Sequence, residues 1–359
     1  MPSLEAIGWN SFFDSHLRAR AEGEEPARVV EAHRGSYRVL GERGSFYAEA
    51  AGKLRHEAMA REALLPCVGD WVMARLPASP DGGAARIGHV LPRRTQLTRK
   101  DPDRGTIEQV LAANMDTVFL VQSLNRDLNP RRLERYLALL WESGAEPVIV
   151  LSKRDLCEDP EPLLEAVERS SSGASVHMTS ARIPGGLDVL MPYFGPGRTV
   201  ALVGSSGVGK STIVNALLGD EVARVQGIRA ADDRGLHTTT ARHLHLLPGG
   251  GMLIDTPGMR TVLLLENEEG ISRTFEDIEE IASLCRFRDC GHGSEPGCAV
   301  RDALERGTLE DARYRSYEKL QREARYQAGK LDVRIRLDEQ RRWRQIHRDA
   351  RRRPDKRRI

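Results

Sequence analysis

Gly204-Ser205-Ser206-Gly207-Val208-Gly209-Lys210-Ser211 satisfies G-x-x-x-x-G-K-[ST] at every fixed position. Glycines in these places permit a tight turn whose backbone N–H groups point inward at phosphate oxygens. An apolar run, TVALV, precedes the motif and a helix-forming run, STIVNALLG, follows it. The helix N-terminus adds partial positive charge. Lys210 is then placed to reach the β- and γ-phosphates, and Ser211 to hold Mg²⁺, with Thr212 on the same turn.

A phosphate loop does not choose a base. Ser152-Lys153-Arg154-Asp155 follows the apolar run EPVIVL. A carboxylate there can accept two hydrogen bonds from guanine, at N1–H and the exocyclic amine. Adenine offers no such pair, and a site built on polar pairing rejects the wrong base. Lys153 can lay its aliphatic stem along the base plane. Thr179-Ser180-Ala181 follows the next strand-like run, where a backbone N–H of Ser180 or Ala181 can meet guanine O6. Both strings fall at C-terminal strand ends, where α/β folds bind ligands.

Asp255-Thr256-Pro257-Gly258 matches D-x-x-G after GMLI. Asp255 is expected to contact Mg²⁺ through water and the Gly258 N–H to sense the γ-phosphate. Met259 follows, where many GTPases carry a water-orienting glutamine, so slow intrinsic hydrolysis is expected.

The chain resembles the translation-factor class of GTPases, whose base motif is usually N-K-x-D; Ser152 stands in the Asn position. Here the base motifs precede the phosphate loop, which is a circular permutation. That order is similar to the ribosome small-subunit-dependent GTPase family of bacteria. The family has a run like Gly235-Leu236-His237-Thr238-Thr239-Thr240 in its first switch. By spacing, Thr239 is favoured over Thr238 to complete the Mg²⁺ shell. His237 is a candidate catalytic group orienting water, or equally a partner contact. What the resemblance implies is late maturation of the 30S subunit, contact with 16S rRNA, and GTP hydrolysis stimulated by that particle.

Cys285-x4-Cys290-x-His292-x5-Cys298 offers three thiolates and an imidazole. Cys₃His suits tetrahedral Zn²⁺ and leaves no open position, so one structural zinc is expected. The surrounding EPGCAV resembles the same family. Cys67 and Cys157 lie apart and read as core thiols.

The elements that must position these groups follow from the hydrophobic pattern. Strand runs DTVFLVQSL, EPVIVLSK, SVHMTSA and TVALVG alternate with helical runs, as in a doubly wound parallel sheet. This makes an α/β P-loop G domain over 105–270. Before it, over 27–98, RVVEAH, SYRVL, SFYAEAAGKL, DWVMARL and ARIGHVL form five candidate strands. They fit an OB-like β-barrel, with an SH3-like barrel as the alternative. Of the aromatics there (Tyr37, Phe46, Tyr47, Trp71), at least half are expected to fill the barrel rather than stack on bases. A lead-in at 1–26 holds a short helix, and TRKDPDRG reads as a linker. A zinc-binding helical domain spans 271–345, and a basic tail 346–359.

The 359 residues carry a net charge of +2, yet arginine dominates from Gln340 onward, a footprint for phosphate backbones or a solubilising tail. No run approaches the roughly 20 apolar residues that cross a bilayer, and no signal-peptide pattern opens the chain. A cytoplasmic monomer without membrane contact is expected. Two other classes stay open: a P-loop kinase or ATPase, which needs no SKRD–TSA pair, and an RNA chaperone that holds GTP as a structural ligand.

Overall fold

The computed structural model describes residues 2–17, 23–33, 35–59, 64–79, 82–100, 108–124, 128–219, 242–256 and 269–331. The chain forms two compact units, Met1–Leu263 and Leu264–Ile359.

In the first unit, β1 (Glu25–Ala32), β2 (Tyr37–Gly41), β3 (Gly44–Ala50), β4 (Trp71–Arg75) and β5 (Ala85–Val90) pair in the cyclic order β1-β2-β3-β5-β4-β1. The ring closes where Glu25–Arg28 lie opposite Trp71–Ala74. Closure leaves none of the five as a free edge, and the interior fills with Val29, Val39, Phe46, Val72 and Ile87. Expectation and structure part at SFYAEAAGKL. Its strand stops at Ala50, and helix α2 (Gly52–Met59) starts at the glycine, burying Leu54 under the barrel. Tyr37, Phe46 and Trp71 are buried, whereas Tyr47 is 62% exposed. Trp71 faces away from the barrel core and packs edge-on against Trp9. Trp9 flanks the short helix α1 (Ser11–Ser15), whose Asn10 caps the Phe12 N–H.

The TRKDPDRG linker is corrected in part. Its first residues belong to β6 (Gln96–Lys100), which pairs antiparallel with β7 (Glu108–Ala113); residues 101–107 lie outside the description.

The nucleotide-type sheet has the order β10-β9-β8-β11-β13-β12. It is built from β8 (Thr117–Ser123), β9 (Glu146–Ser152), β10 (Ser175–Met178), β11 (Thr199–Val203), β12 (Arg242–Leu246) and β13 (Met252–Asp255). The pairs from β10 to β13 are parallel, and only β12 runs antiparallel. β8 is buried along its whole length because helices cover both faces of such a sheet. Helix α3 (Pro130–Glu142) starts with Asn129 accepting from Arg131 and Arg132, and buries Leu133, Leu137 and Leu140. Helix α4 (Glu161–Glu168) precedes β10, and α5 (Lys210–Leu218) follows β11.

β1 also pairs with β12, through Glu31↔His243 and Ala32↔Arg242, so one strand belongs to both barrel and sheet. At this junction Arg28 is fully buried. Its guanidinium donates to the carbonyls of Ile7 (2.5 Å), Asn114 (2.9 Å) and Gly69 (3.3 Å). Burial lowers its pKa to about 10.

The second unit is helical: α6 (Glu269–Thr274), α7 (Glu276–Ser283), α8 (Ala299–Glu305) and α9 (Asp311–Leu331). Phe275, Ile278, Val300, Tyr317 and Leu320 are buried. Arg313 clamps α9 to Asp277 of α7 by two bonds, 2.7 and 2.6 Å, and lies over Phe275.

Candidate nucleotide site and metal cluster

Parallel strands with common polarity bring β9, β10, β11 and β13 to one edge, where the SKRD string, the TSA string, the phosphate loop and Asp255 stand. The phosphate loop leaves β11. Gly204 (φ 146°) cannot carry a side chain, because a Cβ there would stand 2.3 Å from the Val121 carbonyl. Gly207 (φ 81°) and Gly209 (φ 98°) also have positive φ, which glycine adopts without steric cost. Gly209 ends the turn and α5 begins at Lys210. Lys210 Nζ donates to the carbonyls of Gly204 (2.8 Å) and Ser205 (2.7 Å), so the amine sits folded into the loop's concave side. Burial lowers its pKa. Asp255 ends β13 beside β11, in register with Leu202. Burial raises its carboxyl pKa, against pulls from Lys210 and His243.

The base-side residues meet the phosphate loop directly. Ser152 is buried, and its hydroxyl lies within donating distance of the carbonyls of Val208 (2.5 Å) and Gln122 (3.1 Å). Lys153, in the left-handed region at φ 59°, donates from Nζ to the Gly207 carbonyl at 2.7 Å. Two neighbouring side chains thus hold two neighbouring carbonyls of a loop far along the chain. Ser180 Oγ donates to Asp155 Oδ1 at 2.6 Å, and this bond lowers the Asp155 pKa. The Arg154 N–H bonds the Thr179 carbonyl, which ties the two base loops.

A cavity of about 160 Å³ is lined by Ser152, Lys153, Asp155, Ala181, Gly209 and Thr212, together with Leu156, Arg182 and Ile213. The last three were not singled out from sequence. Arg182 directly follows the TSA string and Leu156 the SKRD string, so extending each motif by one residue would have found them. Ser205, Ser206 and Ser211 lie on the same loop and helix start. Thr256 turns inward, its hydroxyl donating to the Leu202 carbonyl at 2.5 Å. His237, Thr239, Gly258 and Met259 lie outside the described residues.

In the helical unit, the ligand atoms of Cys285, Cys290, His292 and Cys298 all lie within 4.8 Å of one another. Cys285 Sγ and Cys298 Sγ are 4.0 Å apart, and each is 3.6 Å from His292 Nδ1. A tetrahedron with Zn–S near 2.3 Å sets sulfurs about 3.8 Å apart, so the donor set fits that ion. The loop is shaped by His292 at φ 57° and by Glu295, whose carboxylate accepts from Gly291 (3.1 Å) and Gly293 (2.8 Å). Cys298 doubles as the N-cap of α8, accepting from the Arg301 N–H. Of the two remaining thiols, Cys67 is buried and Cys157 half-buried.

A sequence model of the RsgA GTPase family matches residues 90–265. The small ribosomal subunit biogenesis GTPase RsgA of Opitutus terrae is 46% identical over 357 residues, 97% of each chain. The protein of the same name from Streptomyces coelicolor is 43% identical over 94% of this chain and 90% of its own. Among solved structures, YjeQ from Thermotoga maritima matches with a TM-score of 0.60 and 29% identity, covering 84% of this chain and 98% of that one. YloQ, described as a circularly permuted GTPase, matches at 0.58 and 27%, covering 85% and 98%. Permuted motif order, a closed five-strand barrel and 46% identity over nearly the whole chain agree, and the chain belongs to the RsgA GTPase family.

Proposed function

We propose that this protein is a GTP-hydrolysing assembly factor for the 30S subunit, acting late in maturation, binding 16S rRNA, and stimulated by the subunit. The observation that carries the nucleotide half is the direct seam between Ser152-Lys153 and Val208-Gly207, which makes base loop and phosphate loop one site. The ribosomal half rests on relatives of that name aligned over nearly the whole chain.

In this reading Asp155, oriented by Ser180, pairs with guanine, and the Ala181 backbone faces O6. Gly204 to Gly209 and Lys210 cradle the phosphates, with Thr212 beside them. Mg²⁺ with GTP supplies charge neutralisation at the β- and γ-phosphates; Ser211 and Thr239 would hold it, Asp255 would stand behind its water, and Gly258 would sense the γ-phosphate. His237 is the candidate for orienting water. Cys285, Cys290, His292 and Cys298 hold one structural Zn²⁺. The division into lead-in 1–26, barrel 27–98, G domain 105–270, zinc domain 271–345 and tail 346–359 belongs to the same proposal, as do the monomeric state and the cytoplasmic setting. Among the described residues no helix is long and apolar enough to cross a membrane.

The test is GTP hydrolysis by zinc-loaded protein alone, with small subunits, and with large subunits. Stimulation by the small subunit alone is expected. Equal rates in all three would remove the ribosomal reading and leave the nucleotide site standing. ATP competing equally with GTP would instead favour a P-loop ATPase.

A further inference from the structure

Tyr47 on β3, Arg38 on β2, Glu31 on β1, His243 on β12 and Asp255 on β13 are successive cross-strand partners. Directly opposed residues share a face of the sheet. The row therefore runs unbroken from the barrel's outer surface to the carboxylate that ends β13.

The steps from Tyr47 to His243 are contacts of matched chemistry, and His243 and Asp255 are joined by their register across β12 and β13. The Arg38 guanidinium lies 4.3 Å from the Tyr47 ring centroid and donates to the Tyr47 hydroxyl at 2.8 Å. Arg38 Nε and Glu31 Oε2 are 3.2 Å apart, and His243 Nδ1 lies 3.7 Å from Glu31 Oε1. His243 beside it is the largest influence lowering the Glu31 pKa to about 2. His243 in turn acts on the Asp255 carboxyl alongside Lys210. His33 also faces Glu31, at 3.9 Å, and His245 stacks on His243.

We propose that this row couples RNA held on the barrel's outer face to the nucleotide site, with His243 as the positioning residue for Asp255. The proposal rests on the ribosomal reading above. An aromatic ring 62% exposed beneath a guanidinium is a stacking platform for an unpaired base, with a donor for its phosphate. Arg38 that turns toward a phosphate leaves Glu31 with the histidines alone. Glu31 then draws His243 toward itself and away from Asp255. No proton or covalent bond moves; only partners change.

Coupling of this kind is reciprocal and readable without turnover. Binding of purified small subunits is measured with the protein saturated by GDP and by a non-hydrolysable GTP analogue. The wild type is expected to differ by about tenfold between the two, and Glu31→Gln by less than about twofold. Tyr47→Ala is expected to weaken subunit binding in both states. His243→Ala should behave as Glu31→Gln, and retention of labelled GDP by each variant shows that the site is folded. Wild type and both row variants discriminating equally would overturn the row alone. No subunit binding by the wild type would overturn the ribosomal reading and the row with it.

Discussion

The nucleotide loops and the cysteine loop solve the same problem, holding several polar groups within a few ångströms, by opposite means. Around the phosphate loop the geometry is supplied by the parallel sheet: Val200, Leu202, Val203, Ile254 and Val150 are all fully buried beneath it. Side chains then only finish the fit, as Ser152 and Lys153 do. The loop from Leu284 to Gly297 has no such floor. Leu284 is 75% exposed and Phe287 is 42% exposed; Glu295, backbone bonds from Arg286 to Gly297 and from Cys290 to Phe287, the His292–Tyr314 ring contact and the cysteine–histidine cluster hold the loop. A site on a sheet keeps its shape by burial; a site on an exposed loop, on the zinc reading proposed above, keeps its shape by the ion.

The sharpest way to break that comparison is to remove the ion. Binding of a structural zinc contributes about 10 kcal/mol to the folding of small metal-dependent units. Chelation, or Cys290→Ser, is therefore expected to abolish hydrogen-exchange protection across 285–298 while guanine-nucleotide affinity stays within about twofold, because among the described residues its cavity is lined by the first unit. A loop that stays protected after the metal has left would show that the exposed segment is ordered by its backbone bonds instead.

The same contrast explains what could be read in advance. Motifs that act through backbone geometry were legible because glycine positions and apolar runs are local signals. The cysteine cluster was legible for a different reason, since four ligands fall within a span of fourteen residues. What escaped was non-local. That β1 would serve both barrel and sheet depends on pairing Glu31 with His243, more than two hundred positions away. Helix α2 escaped because AAGKL continues an apolar–polar alternation and only the glycine marks the break. Thr98–Lys100 looked like linker because Thr, Arg and Lys carry no strand period; their partner strand, β7, supplies the ladder. Arg28 sits in RVVEAH as one more strand residue, and nothing local says that it is buried.

A second prediction concerns base choice, with a smaller effect on a site whose frame stays intact. Asp155→Asn replaces an acceptor pair by one donor and one acceptor. Guanine then loses a bond to its amine, whereas xanthine, with a carbonyl at that carbon, gains one. GTP affinity is expected to fall by roughly a hundredfold, as for the loss of one hydrogen bond to a charged group of about 3 kcal/mol, and that of xanthosine triphosphate to rise. Competition binding checks it. Unchanged preference would mean that the Asp155–Ser180 pair only braces the two loops.

The smallest effect separates the two things a residue in the Asn position can do. Ser152 stands within reach of two carbonyls, and a hydroxyl has only one proton to give. Both partners are backbone, one on β8 and one on the phosphate loop, so the hydroxyl braces the loop. A net hydrogen bond of this neutral kind is worth about 1 kcal/mol, or roughly fivefold in affinity. Ser152→Ala is accordingly expected to weaken GTP, inosine triphosphate and xanthosine triphosphate by the same factor of about five, because all three use the same loop. Ser152→Asn, with two N–H donors for two carbonyls, is expected to slow nucleotide release. An alanine variant that lost affinity for GTP alone would place the hydroxyl on the base after all, and the loop's rigidity would then have to come from Lys153 and the sheet beneath it.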